Sequence, residues 1–207
     1  MGDVISLEER RRALAAGTPL GRASSRFART TFSFDLALPQ TYLAAERVDR
    51  DFPGVRWQPA YAAAVWEGPV PIDALAAEAA ERAAQLGVPL VWPEPLPADV
   101  RPAMRAAALA CETGRGAAFV LAASRLAFCG GFDLGDPEVL AEAAAAASIP
   151  LDRCLEAAGD TRRDDAMLDA GRRLGELGVR SLPALRVGRR LFDGESRVAE
   201  AFAAAIA

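Results

Sequence analysis

Three cysteines, Cys111, Cys129 and Cys154, are the strongest nucleophiles in this sequence, and they are widely spaced with no CxxC pair. Disulfide exchange needs two neighbouring sulfurs, so the spacing argues against it. An odd, scattered set fits reduced thiols and predicts a cytoplasmic protein. Each cysteine lies in an apolar helical context such as Ala108-Leu109-Ala110-Cys111, which predicts a small buried hydrophobe. The chain has no His, and its 24 basic residues are all Arg. A Ser-His-Asp or Cys-His nucleophile, a His-ligated metal, Schiff-base chemistry and a phosphate-binding P-loop are therefore excluded. Acid–base work falls to Asp, Glu, Tyr, Cys or water. Asp164, Asp165 and Asp169 stand among Arg162, Arg163, Arg172 and Arg173, which reads as a solvated ion-pair face rather than a metal site. Tyr42 and Trp57 are expected to be core or subunit-contact aromatics. Trp92, in a Pro-rich loop, and Tyr42 are the candidates for lining a substrate cleft.

A net charge of -4 argues against binding driven by nucleic-acid phosphates. Basic charge is dense only in Arg10 to Arg12, Arg22, Arg26 and Arg29, so residues 1–30 are expected to be an Arg-rich, solvated extension. The opening Met1-Gly2-Asp3-Val4-Ile5 lacks a leader-like apolar run, and no stretch is long and apolar enough to predict a membrane span.

The elements that must position any site follow from periodicity. Thr31 to Ala37 alternates, with Phe32, Phe34 and Leu36 on one side, which predicts a strand. Pro39 then suits the first turn of a helix whose buried face is Ala44, Val48 and Phe52, and Gly54 ends it. Val55 to Pro59 reads as a second strand, completing a strand-helix-strand unit. From about Ile72 to Ala158 the pattern is helical, with a stripe of Ile72, Leu75, Ala79, Ala83 and Leu86. Further helices are expected near 99–113, 115–128, 136–147 and 151–158, the third of these capped by Asp136-Pro137. Thr161 is expected to cap a helix with Met167, Ala170, Leu174 and Leu177 on its core face, closed by Gly178. A hairpin turning at Gly188 and a final helix with Val198, Ala201, Phe202 and Ala205 on one face complete the chain. This order predicts an α/β thioredoxin-like fold with an all-helical insertion. Its domains would be a thioredoxin-like part at 31–67 and 159–207 and a helical insertion at 68–158.

In such a fold chemistry sits where the first strand meets its helix, because free N–H groups and the helix dipole there favour a thiolate. That junction reads Asp35-Leu36-Ala37-Leu38-Pro39-Gln40-Thr41-Tyr42-Leu43-Ala44. It resembles the DsbA-like thioredoxin superfamily, above all 2-hydroxychromene-2-carboxylate isomerases and kappa-class glutathione transferases, in Asp35, Pro39, Tyr42, Leu43 and Ala44. Val55 to Pro59 is similar to the family's second strand. Gly87-Val88-Pro89-Leu90 and Trp92 to Pro97 resemble the isomerases' Pro-rich passage. Ser181 to Leu185 resembles the segment with the fold's cis-proline, which implies a cis Leu182-Pro183 bond. Leu191 to Arg197 resembles the lead-in to the last helix.

The resemblance implies glutathione or another small thiol as cofactor, held by Gln40, Leu182, Pro183, Ser196 and Arg197. It implies a small-molecule thiol or aromatic acid as partner, bound between the two parts, and a possible homodimer. Metal, nucleic acid and membrane are not implied. The departures fall on the chemistry. Leu38 stands where the family has its Ser or Cys, Gln40 replaces a Tyr, and Ser196 replaces an Asp. The stretch between Pro59 and Gly87 is shorter than in the isomerases. If activity survives, the N–H groups at Gln40 and Thr41 would have to hold the thiolate, with Thr41 a weak candidate to orient it. Two readings stay open: residual thiol-dependent isomerase or transferase activity, and a non-catalytic small-molecule-binding, thiol-binding or dimerisation module.

Overall fold

Alternating Phe32 and Phe34, both fully buried, set the sheet against its helices. The structure, a computed structural model, describes Phe27 and residues 29–66, 71–96 and 98–207. Most of the expected extension, the 67/68 domain boundary and Pro97 thus lie outside the described residues. Strand β1 (Thr30–Phe34) leads through helix α1 (Pro39–Asp51) to strand β2 (Arg56–Pro59). These two strands pair in parallel, with Phe32 beside Trp57. Strands β3 (Ala184–Val187) and β4 (Arg190–Asp193) form the hairpin, and β3 runs antiparallel to β1, so the sheet order is β2-β1-β3-β4.

β1 stops at Phe34, three residues before the alternation ends. The Asp35 carboxylate accepts the Ala37 N–H at 3.0 Å, and the Asp35 carbonyl accepts the Leu38 N–H at 3.2 Å. This local turn competes with the ladder, as Asx side chains do. Ala44, Val48 and Phe52 then face the core as expected.

Between β2 and β3 the chain is helical: α2 (Ala62–Trp66), α3 (Ile72–Leu86), α4 (Arg101–Glu112), α5 (Gly116–Phe128), α6 (Pro137–Ala146), α7 (Leu151–Gly159) and α8 (Asp164–Glu176). Helix α9 (Val198–Ile206) closes the chain. Asp136 caps α6 by accepting the Glu138 N–H at 2.8 Å. The cap before α8 belongs to Asp160, not Thr161: its carboxylate accepts the Arg162 N–H and opens a short 3₁₀ turn, Thr161–Arg163. A carboxylate out-competes a hydroxyl for this place when both stand at a helix start. Leu177 is 63% exposed rather than buried. α8 ends in a Schellman turn, with Gly178 at φ 87° and the Val179 N–H bonded to the Leu174 carbonyl at 3.0 Å. Val179 therefore takes the apolar place expected of Leu177. α8 also approaches α2 through glycine. A Cβ on Gly171 would lie 2.6 Å from the Tyr61 carbonyl oxygen, so only glycine permits the contact.

Asp164 is not part of a solvated face. Arg105 of α4 donates to both its oxygens, at 2.8 and 2.6 Å, and the Tyr61 hydroxyl donates to it at 2.8 Å. Hydrogen bonding to Arg105 holds the Asp164 carboxyl below the usual carboxylate range. Its unfolded pKa is the higher one, so its stabilisation is present above that value and is lost as pH falls through the folded pKa. Arg105→Ala should cost about 3 kcal/mol, because it strands a largely covered carboxylate. Urea unfolding at pH 7 measures the loss, and the difference from wild type should shrink as Asp164 protonates.

Candidate functional site

The junction after β1 brings together Leu38, Thr41, Leu182 and Pro183, but as core. Leu38 is the residue before α1 and supplies no side-chain cap. The first turn is instead closed from within: the Thr41 N–H bonds to the Leu38 carbonyl at 3.0 Å, and the Thr41 hydroxyl donates to the Asp35 carbonyl at 2.7 Å. Thr41 has no exposed surface and both its polar groups are taken, so it is not placed to orient a thiol. Its N–H is likewise not free for a thiolate.

Leu38, also without exposed surface, packs with Leu182, Ala184, Val65 and Leu75 in one apolar cluster. α2 and α3 thus lie over the start of α1. Gln40 fastens α3 there by donating to the Leu75 carbonyl at 2.8 Å, while its own side-chain oxygen is buried without a partner. The Leu182-Pro183 bond is cis, and so is Glu94-Pro95, which periodicity gave no reason to expect. The Pro183 carbonyl accepts the Gly194 N–H at 2.8 Å, and Leu182 is fully covered.

The other expected ligands lie elsewhere. Ser196 is exposed, and Arg197 is engaged with Glu200 and Asp193 and lies over the Phe192 ring. The buried carboxylate here is Glu195, which the sequence reading missed. It is 4% exposed and paired with Arg47 of α1 and, at 2.6 Å, with Arg82 of α3. Its adjacency to Ser196 in the resembling segment was the available signal. Tyr42 and Trp92 each pack against Phe128, with ring centroids 6.3 and 6.4 Å away. The Tyr42 hydroxyl donates to the Pro89 carbonyl at 2.9 Å, which spends it structurally. Beside this loop the space is about 10 Å³, no more than one water.

The larger opening is at the far end of α1. A cavity of about 590 Å³ runs along β2 between the sheet edge and helices α4 and α8, with neither Tyr42 nor Trp92 on its walls. Cys111 lines it and is only half-buried, Cys154 is buried as expected, and Cys129 is exposed, because it ends α5 just before Gly130 and Gly131. No group of three or more metal-ligating side chains occurs among the described residues. No described helix is long and apolar enough to cross a membrane.

The fold is α/β and thioredoxin-like with a helical insertion, an arrangement shared with solved DsbA-like structures. A solved 2-hydroxychromene-2-carboxylate isomerase superposes with a TM-score of 0.69 at 18% identity, over 84% of this chain and 93% of its own. A candidate DsbA oxidoreductase from Streptomyces coelicolor gives 0.62 at 21% identity, over 86% and 88%. A candidate protein disulfide isomerase from Nitrosomonas europaea gives 0.63 at 17%, over 86% and 94%. No family model and no curated protein sequence matches the chain.

Asp35 is the titratable group left at the junction. Its carboxylate accepts the Ala37 and Ala62 N–H groups, at 3.0 and 2.8 Å. Burial pushes its pKa up despite those bonds. A carboxyl with a raised folded pKa binds more protons folded than unfolded. Stability therefore falls as pH rises from the ordinary carboxylate pKa, about 4, towards the folded value. Chemical denaturation across this window should show that decline in wild type. Asp35→Asn, which keeps an acceptor but cannot ionise, should flatten it; an unchanged slope would assign the decline to another group.

Proposed function

We propose that this chain is a non-catalytic small-molecule-binding or dimerisation module on an isomerase-like scaffold. One observation carries the reading: Leu38, at the position where the resemblance places the reactive hydroxyl or thiol, has no exposed surface. The residues present do not suit glutathione at this junction. Leu38 offers no donor, Leu182 is covered, and the Gln40 amide and Pro183 carbonyl are bonded within the chain. The dimer form of the reading has its own support in Val88, Val91, Leu96 and Phe132, exposed apolar residues around the Pro-rich loop.

Titration calorimetry with reduced glutathione should give no binding heat, and 2-hydroxychromene-2-carboxylate should not be isomerised in its presence. Turnover above the uncatalysed rate would overturn the proposal. Leu38→Ser should lose about 3–5 kcal/mol in urea unfolding, from a cavity plus a buried hydroxyl without a partner. It should gain no activity, because Leu75 and Val65 still cover the position. Light scattering reads the dimer directly.

A further inference from the structure

None of Leu38, Thr41, Leu182 and Pro183 lines the cavity along β2, although Ala170 on its wall also belongs to the Leu38 cluster. Every residue from Gly54 to Pro59 lines it, so it follows all four residues of β2, roughly 13 Å of strand, and the turn before them. Its other wall is narrow: Ala108 of α4 and Ala166 and Ala170 of α8, with Met167 among them. Alanines keep such a slot open, and a methionine adapts to what enters it. A long slot with small walls suits a slim chain better than a fused ring. The rim supplies charge. Arg163 donates to Glu112 through one terminal nitrogen at 2.8 Å, while its Nε is buried without a hydrogen-bond partner. Arg56 and Arg173 are exposed, and neither joins an ion pair among the described residues. The carboxylates on the lining are Asp49 and Glu112, the latter held by Arg163. At the Cys111 thiol on the wall, burial and then the Glu112 charge push the pKa up to about 12, and the Arg56 charge opposes them less strongly.

We propose that this cleft binds a medium-chain acyl carboxylate, its hydrocarbon laid along β2 against Trp57 and the alanine wall and its carboxylate taken by Arg56 and Arg173. The inference rests on the binding-module reading but is tested separately, since glutathione binding or turnover at Leu38 leaves the cleft untouched.

The probes are octanoate and decanoate below their micelle concentrations, with decanol as the uncharged control. Tryptophan fluorescence and calorimetry should show saturable binding that tightens about fourfold per added methylene. Decanol should bind at least tenfold more weakly than decanoate. Arg56→Ala/Arg173→Ala, both exposed positions, should keep the wild-type melting temperature and weaken decanoate at least tenfold. Decanoate should slow modification of Cys111 by methyl methanethiosulfonate, read by mass spectrometry, and leave exposed Cys129 unaffected. No saturable binding overturns the proposal. So does equal affinity for decanol, or binding that neither the double variant nor Cys111 protection registers.

Discussion

A helix that begins with leucine at its cap position must find its first hydrogen bonds elsewhere, and the β1–α1 junction is organised by that constraint. The Leu38 side chain has no acceptor to offer. Pro39 removes one N–H outright, and the Thr41 N–H turns back to the Leu38 carbonyl. With those groups settled inside the chain, the helix start can be covered by apolar side chains without leaving that N–H stranded. Val65, Leu75 and Leu182 provide the cover. A serine there would favour a solvated or ligand-bound helix start; a leucine favours a closed one.

Closure also requires α2 and α3 to stay down, and two arginine–carboxylate arrangements oblige. Arg82 reaches from α3 to Glu195, which Arg47 of α1 meets from its other side. Arg105 and Tyr61 meet at Asp164, joining α4, the entry to α2 and α8. Both centres depend on the planar fork of arginine, which holds two carboxylate oxygens at fixed separation in a way lysine cannot. The all-arginine basic repertoire thus has a structural use. Gly171 adds the steric condition, since its missing Cβ lets α2 settle onto α8.

Much of this architecture was legible in the sequence. Phe32 and Phe34 alternate, Ala44, Val48 and Phe52 recur at helical spacing, and Asp136-Pro137 announces its helix, because each signal is local. The substitution at Leu38 was equally plain. What it leads to was not, since closure depends on contacts from α2 and α3, remote in sequence. Asp164 was misassigned for the same reason: its neighbours along the chain are arginines, yet its partner is Arg105 on another helix. Glu195 lay hidden beside Ser196, because a buried carboxylate reveals itself only when its two cations are placed. Leu177 followed the helical period faithfully but fell after the helix had ended.

The energetics decide which end of α1 stays available to a ligand. An anion at the N-terminus would gain about 0.3–1 kcal/mol from the helix dipole, up to about 2 when partly buried. Admitting it means exposing Leu38 and Leu75, at about 1.5–3 kcal/mol each, and breaking the Gln40 bond to the Leu75 carbonyl. The imbalance is a few kcal/mol against opening. Each 1.4 kcal/mol is tenfold in affinity, so a thiolate ligand would bind there a hundredfold or more less tightly than at an open helix start. The C-terminal end carries no such cost. Phe52 and Gly54 border a cavity that already exists, and a ligand entering it displaces water rather than leucine. For this chain, recognition is cheapest along β2, away from the junction where the fold would otherwise place it.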